Sequence, residues 1–121
     1  MSKKIIIVED EKPMLKALTI KLQSEGFEVE NASDASEFFK KLENVENFDL
    51  ILLDLMLPEV SGFEILEKLK QKNNKVPVIV ASNLSQDEDK KRSMDLGAID
   101  YMVKSDSSLV EIVERVKSLL K

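Results

Sequence analysis

The sequence predicts an α/β fold in which helices cover both faces of a parallel sheet. Two observations lead there. Short runs rich in branched residues alternate with longer segments of helical period, which is the pattern of repeated βαβ units. The runs Ile5-Ile6-Ile7-Val8 and Leu50-Ile51-Leu52-Leu53 are continuously apolar, as suits central strands buried on both faces. With 121 residues the chain can build a normal core without staples, so residues 1–121 read as one domain, free of linkers, repeats and low-complexity segments.

The strands are expected at 4–8, 27–30, 49–53, 77–81 and 99–103, each followed by a helix. Pro13 suits the first turn of the first helix, where Leu15, Leu18 and Leu22 form the buried stripe. Glu28 and Glu30 flank Val29, which marks the second strand as an edge. Ser61-x-x-Glu64 and Ser85-x-x-Glu88 have capping-box spacing and open the third and fourth helices. The fourth is almost wholly polar from Asp87 to Ser93, so it can bury little and is a candidate mobile or partner-facing element. Leu109, Ile112, Val113, Val116 and Leu120 give the last helix its core stripe, and Gly26, Gly62 and Gly97 punctuate turns.

Composition removes several function classes. There is no cysteine and no histidine, so disulfides, thiolate metal sites and imidazole chemistry are excluded. A net charge of −5 argues against direct nucleic-acid binding, which needs concentrated Lys and Arg. No apolar run reaches about 18 residues and no signal peptide is visible, so a cytoplasmic protein without membrane attachment is expected.

Asp54 stands between Leu50-Ile51-Leu52-Leu53 and Leu55-Met56-Leu57, a costly place for a charge unless chemistry uses it. Right-handed crossovers send all the strands in one direction, so their carboxyl ends share one rim. That rim collects Glu9 and Asp10 from the first strand, Asp54 from the third, Ser82 from the fourth and Lys104 from the fifth. Ligands of open α/β sheets bind on this rim. Three close carboxylates need counter-charge: Lys104 supplies one unit, and a divalent ion matches the rest. Oxygen donors select a hard ion, Mg²⁺ or Mn²⁺, and that combination suits phosphoryl transfer with Asp54 as a covalent nucleophile.

These residues, in this order and spacing, resemble the receiver domain of two-component response regulators across nearly the whole chain. The pieces that carry the resemblance are Val8-Glu9-Asp10, Leu53-Asp54-Leu55-Met56-Leu57-Pro58 with Gly62, Ser82, and Gly97-Ala98-Ile99-Asp100-Tyr101 leading to Lys104. The resemblance implies a doubly wound, flavodoxin-like (βα)5 fold with a five-stranded parallel sheet in the order 2-1-3-4-5. It further implies that Asp54 is the phosphoacceptor, that Asp10 binds the metal directly and Glu9 through water, and that the Met56 backbone carbonyl completes the ligands. Ser82 matches the switch hydroxyl, Lys104 the phosphoryl-binding lysine and Tyr101 the aromatic switch residue. Tyr101 also fits an ordinary strand aromatic.

The implied function is a phosphorylation-activated receiver, not a turnover enzyme beyond slow self-catalysed phosphoryl uptake and loss. Its implied partners are a sensor histidine kinase or phosphotransfer protein and a downstream protein target or missing output domain. The implied state is a monomer or weak phosphorylation-dependent dimer; Lys90, Lys91 and Arg92 beside Asp95, Asp100 and Arg115 read as a solvated surface first and as ion pairs across a dimer second, because exposed pairs are weak. Two other readings stay open. A haloacid-dehalogenase-like phosphatase shares the aspartyl-phosphate chemistry but has a carboxylate where this chain has Met56, and a receiver-like scaffold would never be phosphorylated.

Two positions depart from the family pattern. Ser105 follows Lys104 where proline is usual, and Asn83 follows Ser82 where a smaller residue is common. A cis bond before a non-proline residue costs roughly 2.5 to 4 kcal/mol, so a trans Lys104-Ser105 bond is expected. The resemblance also sets the apolar side chains of Met56 and Leu84 beside the path of attacking water, where neither can orient it, so a slowly hydrolysed phosphorylated state is expected.

Overall fold

Alternate residues of a strand face opposite sides of its sheet, and the first strand, Lys4–Val8 (β1), feeds two cores in this way. Ile6 and Val8 pack in one cluster with Phe38, Leu53 and Leu66, whereas Ile5 and Ile7 pack in the other with Leu18, Leu52 and Val116. This computed structural model describes residues 2–44 and 47–120. After β1 come Lys12–Ser24 (α1), Glu28–Ala32 (β2), Ala35–Asn44 (α2), Leu50–Leu53 (β3), Gly62–Gln71 (α3), Val78–Ser82 (β4), Asp87–Asp95 (α4), Asp100–Val103 (β5) and Leu109–Leu119 (α5).

The sheet has five strands, all parallel, in the order β2-β1-β3-β4-β5. Helices α1 and α5 cover one face and α2 and α3 the other, because their apolar stripes enter separate clusters. The edge position of β2 agrees with its flanking glutamates, and the strand runs on to the buried Ala32, whose carbonyl accepts the Glu9 amide. Only Ser93 of α4 is buried, as its polar sequence requires. Charged contacts tie it down: the Arg92 guanidinium lies 4.1 Å over the Phe63 ring and 3.7 Å from Glu67, and Lys70 donates to the Asp95 carbonyl.

The caps depart from expectation. Ser61 is the N-cap of α3 but its hydroxyl accepts no capping bond, and α4 starts after Gln86, one residue beyond Ser85. The reciprocal capping box forms instead at α5, between Ser108 and Glu111. Gly26 and Gly97 occupy left-handed turns, but Gly62 does other work as the first residue of α3. A Cβ there would lie 2.5 Å from the Asp54 carbonyl oxygen and 2.6 Å from the Leu55 Cα, so only glycine lets α3 start this close to the end of β3.

Candidate functional site

Strand register builds the site. Val8 pairs with Leu53, and the Asp54 amide donates to the Val8 carbonyl at 3.0 Å, so Glu9 and Asp54 leave the sheet side by side. Ser82 pairs with Val103, which makes Lys104 the next residue to reach the same rim. A short 3-10 turn, Lys104–Asp106, then leads the chain away, and the Lys104-Ser105 bond is trans.

Glu9 is 2% exposed, Asp54 5% and Lys104 9%, and ions this deep need partners. The Lys104 ammonium supplies both, donating to Glu9 Oε1 at 2.6 Å and to Asp54 Oδ2 at 3.0 Å. The remaining oxygens are held by backbone: Asp54 Oδ1 accepts the Met56 amide at 3.1 Å, and Glu9 Oε2 accepts the Glu11 amide at 3.2 Å. Burial pushes the Glu9 carboxyl up to about 7; the Lys104 hydrogen bond opposes that rise and the nearby Asp54 charge adds to it. For Lys104 burial works against the charge, but the bonds to Glu9 and Asp54 win and hold the ammonium above its ordinary value.

Asp10 completes an acidic trio. Glu9, Asp10 and Asp54 each offer one oxygen, and these lie within 4.8 Å of one another. Asp10 is the exposed member of the three, at the surface of the cleft. All the donors are carboxylate oxygens, Lys104 offsets one of the three charges, and the remainder of about −2 fits a hard divalent cation such as Mg²⁺. The cleft above them has a volume of about 340 Å³ and is lined by Glu9, Asp10, Asp54, Met56, Asn83 and Lys104, among others.

Two further sequence candidates stand apart from this cleft. Ser82 is fully buried, and its hydroxyl accepts the Leu84 amide at 3.4 Å. Tyr101 donates its hydroxyl to the Leu84 carbonyl at 2.6 Å, and burial, with Asp89 and Asp54 nearby, raises its pKa to about 12. The backbone of Leu84 thus joins the two side chains. The family resemblance sets the Leu84 side chain beside the path of attacking water; here that side chain is half-buried against the core, and Asn83 lines the cleft. The sequence carries no signal for the bond from Lys104 to Glu9, because a lysine between two acids shows no preference in the residue pattern.

The family model of the response regulator receiver domain matches residues 5–117. The chain belongs to that family. Among curated relatives, the alkaline phosphatase synthesis transcriptional regulatory protein PhoP of Bacillus subtilis is 39% identical to this receiver over 121 residues, 100% of this chain and 50% of that protein. The receiver spans about half the length of the curated relatives it matches. A CheY-like receiver domain from Methanospirillum hungatei has a TM-score of 0.90 at 33% identity, over 99% of this chain and 94% of that one. The phosphorylated cyanobacterial phytochrome response regulator RcpA has a TM-score of 0.83 at 32% identity, over 98% and 91%. Response regulator receivers are signalling domains, and the open phosphatase and scaffold readings gain nothing from these matches.

Proposed function

We propose that this receiver takes a phosphoryl group onto Asp54 from a histidine kinase or phosphotransfer protein and uses it to switch contacts with a downstream target. The observation that carries the reading is the Lys104 ammonium, held 3.0 Å from a buried Asp54 carboxylate within a trio able to share a cation. A carboxylate oxygen of Asp54 bonds phosphorus as the P–N bond to the donor's histidine breaks, and the imidazole nitrogen leaves with that electron pair. Lys104 keeps positive charge beside the oxygens of the transferring group, where negative charge gathers. Asp10, Asp54 and the Met56 carbonyl would hold Mg²⁺ or Mn²⁺ directly, with Glu9 reaching it through water. The ion would neutralise phosphoryl oxygens.

Ser82 and Tyr101 are the switch pair in this reading. A phosphoryl oxygen that bonds the Ser82 hydroxyl competes with the Leu84 amide, and any shift of Leu84 reaches Tyr101 through its carbonyl. Uptake and loss of the phosphoryl group without a partner are slow. The partner-facing surface includes α4, and the output is a domain joined to this one or a separate protein. On the neighbouring face Arg115 pairs with Asp100 of the same chain, and Arg92 with Glu67 and Phe63, so these cations already have partners at home.

Acetyl phosphate with Mg²⁺ tests the reading by intact mass. One phosphoryl addition that disappears in Asp54→Asn and in chelator supports it; unchanged labelling in either condition refutes it. Among the described residues no helix is long and apolar enough to cross a membrane.

A further inference from the structure

Met56 has no packing role that explains it. The residue is 54% exposed, and it lines a cleft otherwise rich in charge, together with Asp54. Apolar surface left in water contributes nothing to the core. The chain has five methionines and neither cysteine nor tryptophan, so thioethers are its targets for mild oxidants. Among the described methionines Met56 is the most open: Met94 is 40% exposed, Met14 is half-buried and Met102 is 7% exposed.

We propose that Met56 is a reversible oxidation site through which hydroperoxides shorten the life of the phosphorylated receiver. This rests on Asp54 being the phosphoacceptor. In the oxidation step a sulfur lone pair attacks one oxygen of hydrogen peroxide and the O–O bond breaks. That oxygen stays on sulfur as the sulfoxide, and the other leaves as water after proton transfer. Sulfur loses two electrons and peroxide gains them. An apolar, flexible side chain becomes one with a strong hydrogen-bond acceptor, without disturbing the core.

The consequence follows from what hydrolysis needs. Water must approach phosphorus with a lone pair forward while its hydrogens are held by an acceptor, and a thioether is too weak an acceptor to hold them. The sulfoxide oxygen can. One neutral hydrogen bond of ordinary worth accelerates the step by about 2- to 10-fold. Met56 acts here as a positioning residue: the bond from phosphorus to Asp54 oxygen still breaks, and phosphate and the free carboxylate are the products.

The test treats the protein with dilute hydrogen peroxide, removes the oxidant, phosphorylates with acetyl phosphate and Mg²⁺, and follows decay. Peptide mass mapping should find the sulfoxide at Met56 before Met14 and Met102, and decay should quicken by the stated factor. Methionine sulfoxide reductase should restore the original rate. Met56→Leu lacks the sulfur and should decay at one rate with and without peroxide, even though Met94 and Met14 stay oxidisable in that variant. Met56 remaining unmodified while the other methionines oxidise, equal or slower decay after treatment, or a peroxide response that persists in Met56→Leu overturns the proposal. Failure of the untreated protein to take up phosphoryl overturns the functional reading, and the lifetime claim with it.

Discussion

Lys104 lies closer to Glu9 than to Asp54: its ammonium is 2.6 Å from a Glu9 oxygen and 3.0 Å from Asp54. A residue implicated only as a water-mediated metal partner is therefore a direct counter-ion of the lysine. The arrangement pairs the buried charges and brings the Glu9 carboxyl, the Asp54 carboxylate and the lysine together at one point.

That coupling gives a pH dependence. The Glu9 carboxyl has a folded pKa of about 7, above its ordinary 4.5, so the folded state binds more protons and the metal-free fold loses stability as pH rises between those values. A cation favours the deprotonated acid and offsets that loss. The rise in melting temperature on adding Mg²⁺ should therefore be larger at about pH 8 than at about pH 5. An equal rise at both, read by calorimetry, contradicts the coupling.

Removing the lysine leaves two buried carboxylates facing each other. Lys104→Ala should lose about 3 kcal/mol of stability in chelator, the usual cost of breaking a buried pair, and recover much of it in Mg²⁺. Metal binding should survive while the structural response to phosphorylation weakens. Denaturant melts showing no loss in chelator would count against the ion-pair account.

Gly62→Ala tests the close approach of α3 to β3. Alanine favours helix by up to about 1 kcal/mol, but the added carbon would sit 2.5 Å from the Asp54 carbonyl oxygen, and backbone must move. Overpacking should win, for a net loss of about 1 to 3 kcal/mol and slower phosphoryl uptake, since Asp54 moves with the loop. A variant as stable and reactive as the parent would show that this loop is compliant.

Tyr101→Phe keeps the ring and deletes the hydroxyl that donates to the Leu84 carbonyl. The expected loss is about 1 kcal/mol, with faster hydrogen exchange confined to residues around Leu84. Exchange unchanged there would remove Leu84 as the link between Ser82 and Tyr101.

The rim was legible because it follows from strand direction alone: Glu9, Asp10, Asp54, Ser82 and Lys104 all sit where a parallel sheet puts its strand ends. The family resemblance supplied the strand order, which the pairing of β1 with both β2 and β3 bears out. Boundaries were less legible at β2, where polar side chains on an exposed edge hide a strand that its backbone bonds extend to Ala32. Capping spacing placed the start of α3 correctly at Ser61, although that hydroxyl accepts no capping bond, and at Ser85 it fell one residue short because α4 starts after Gln86. The role of the Leu84 carbonyl, which accepts the Tyr101 hydroxyl, leaves no mark in the sequence because any residue supplies the same backbone oxygen.

Reductive trapping tests the central claim most directly. After treatment with acetyl phosphate and Mg²⁺, borohydride converts an aspartyl phosphate to homoserine, and peptide sequencing by mass spectrometry finds its position. The account predicts homoserine at position 54 and nowhere else, with none formed in chelator. Homoserine at Asp10 or another aspartate, or none despite saturating donor and metal, would contradict it.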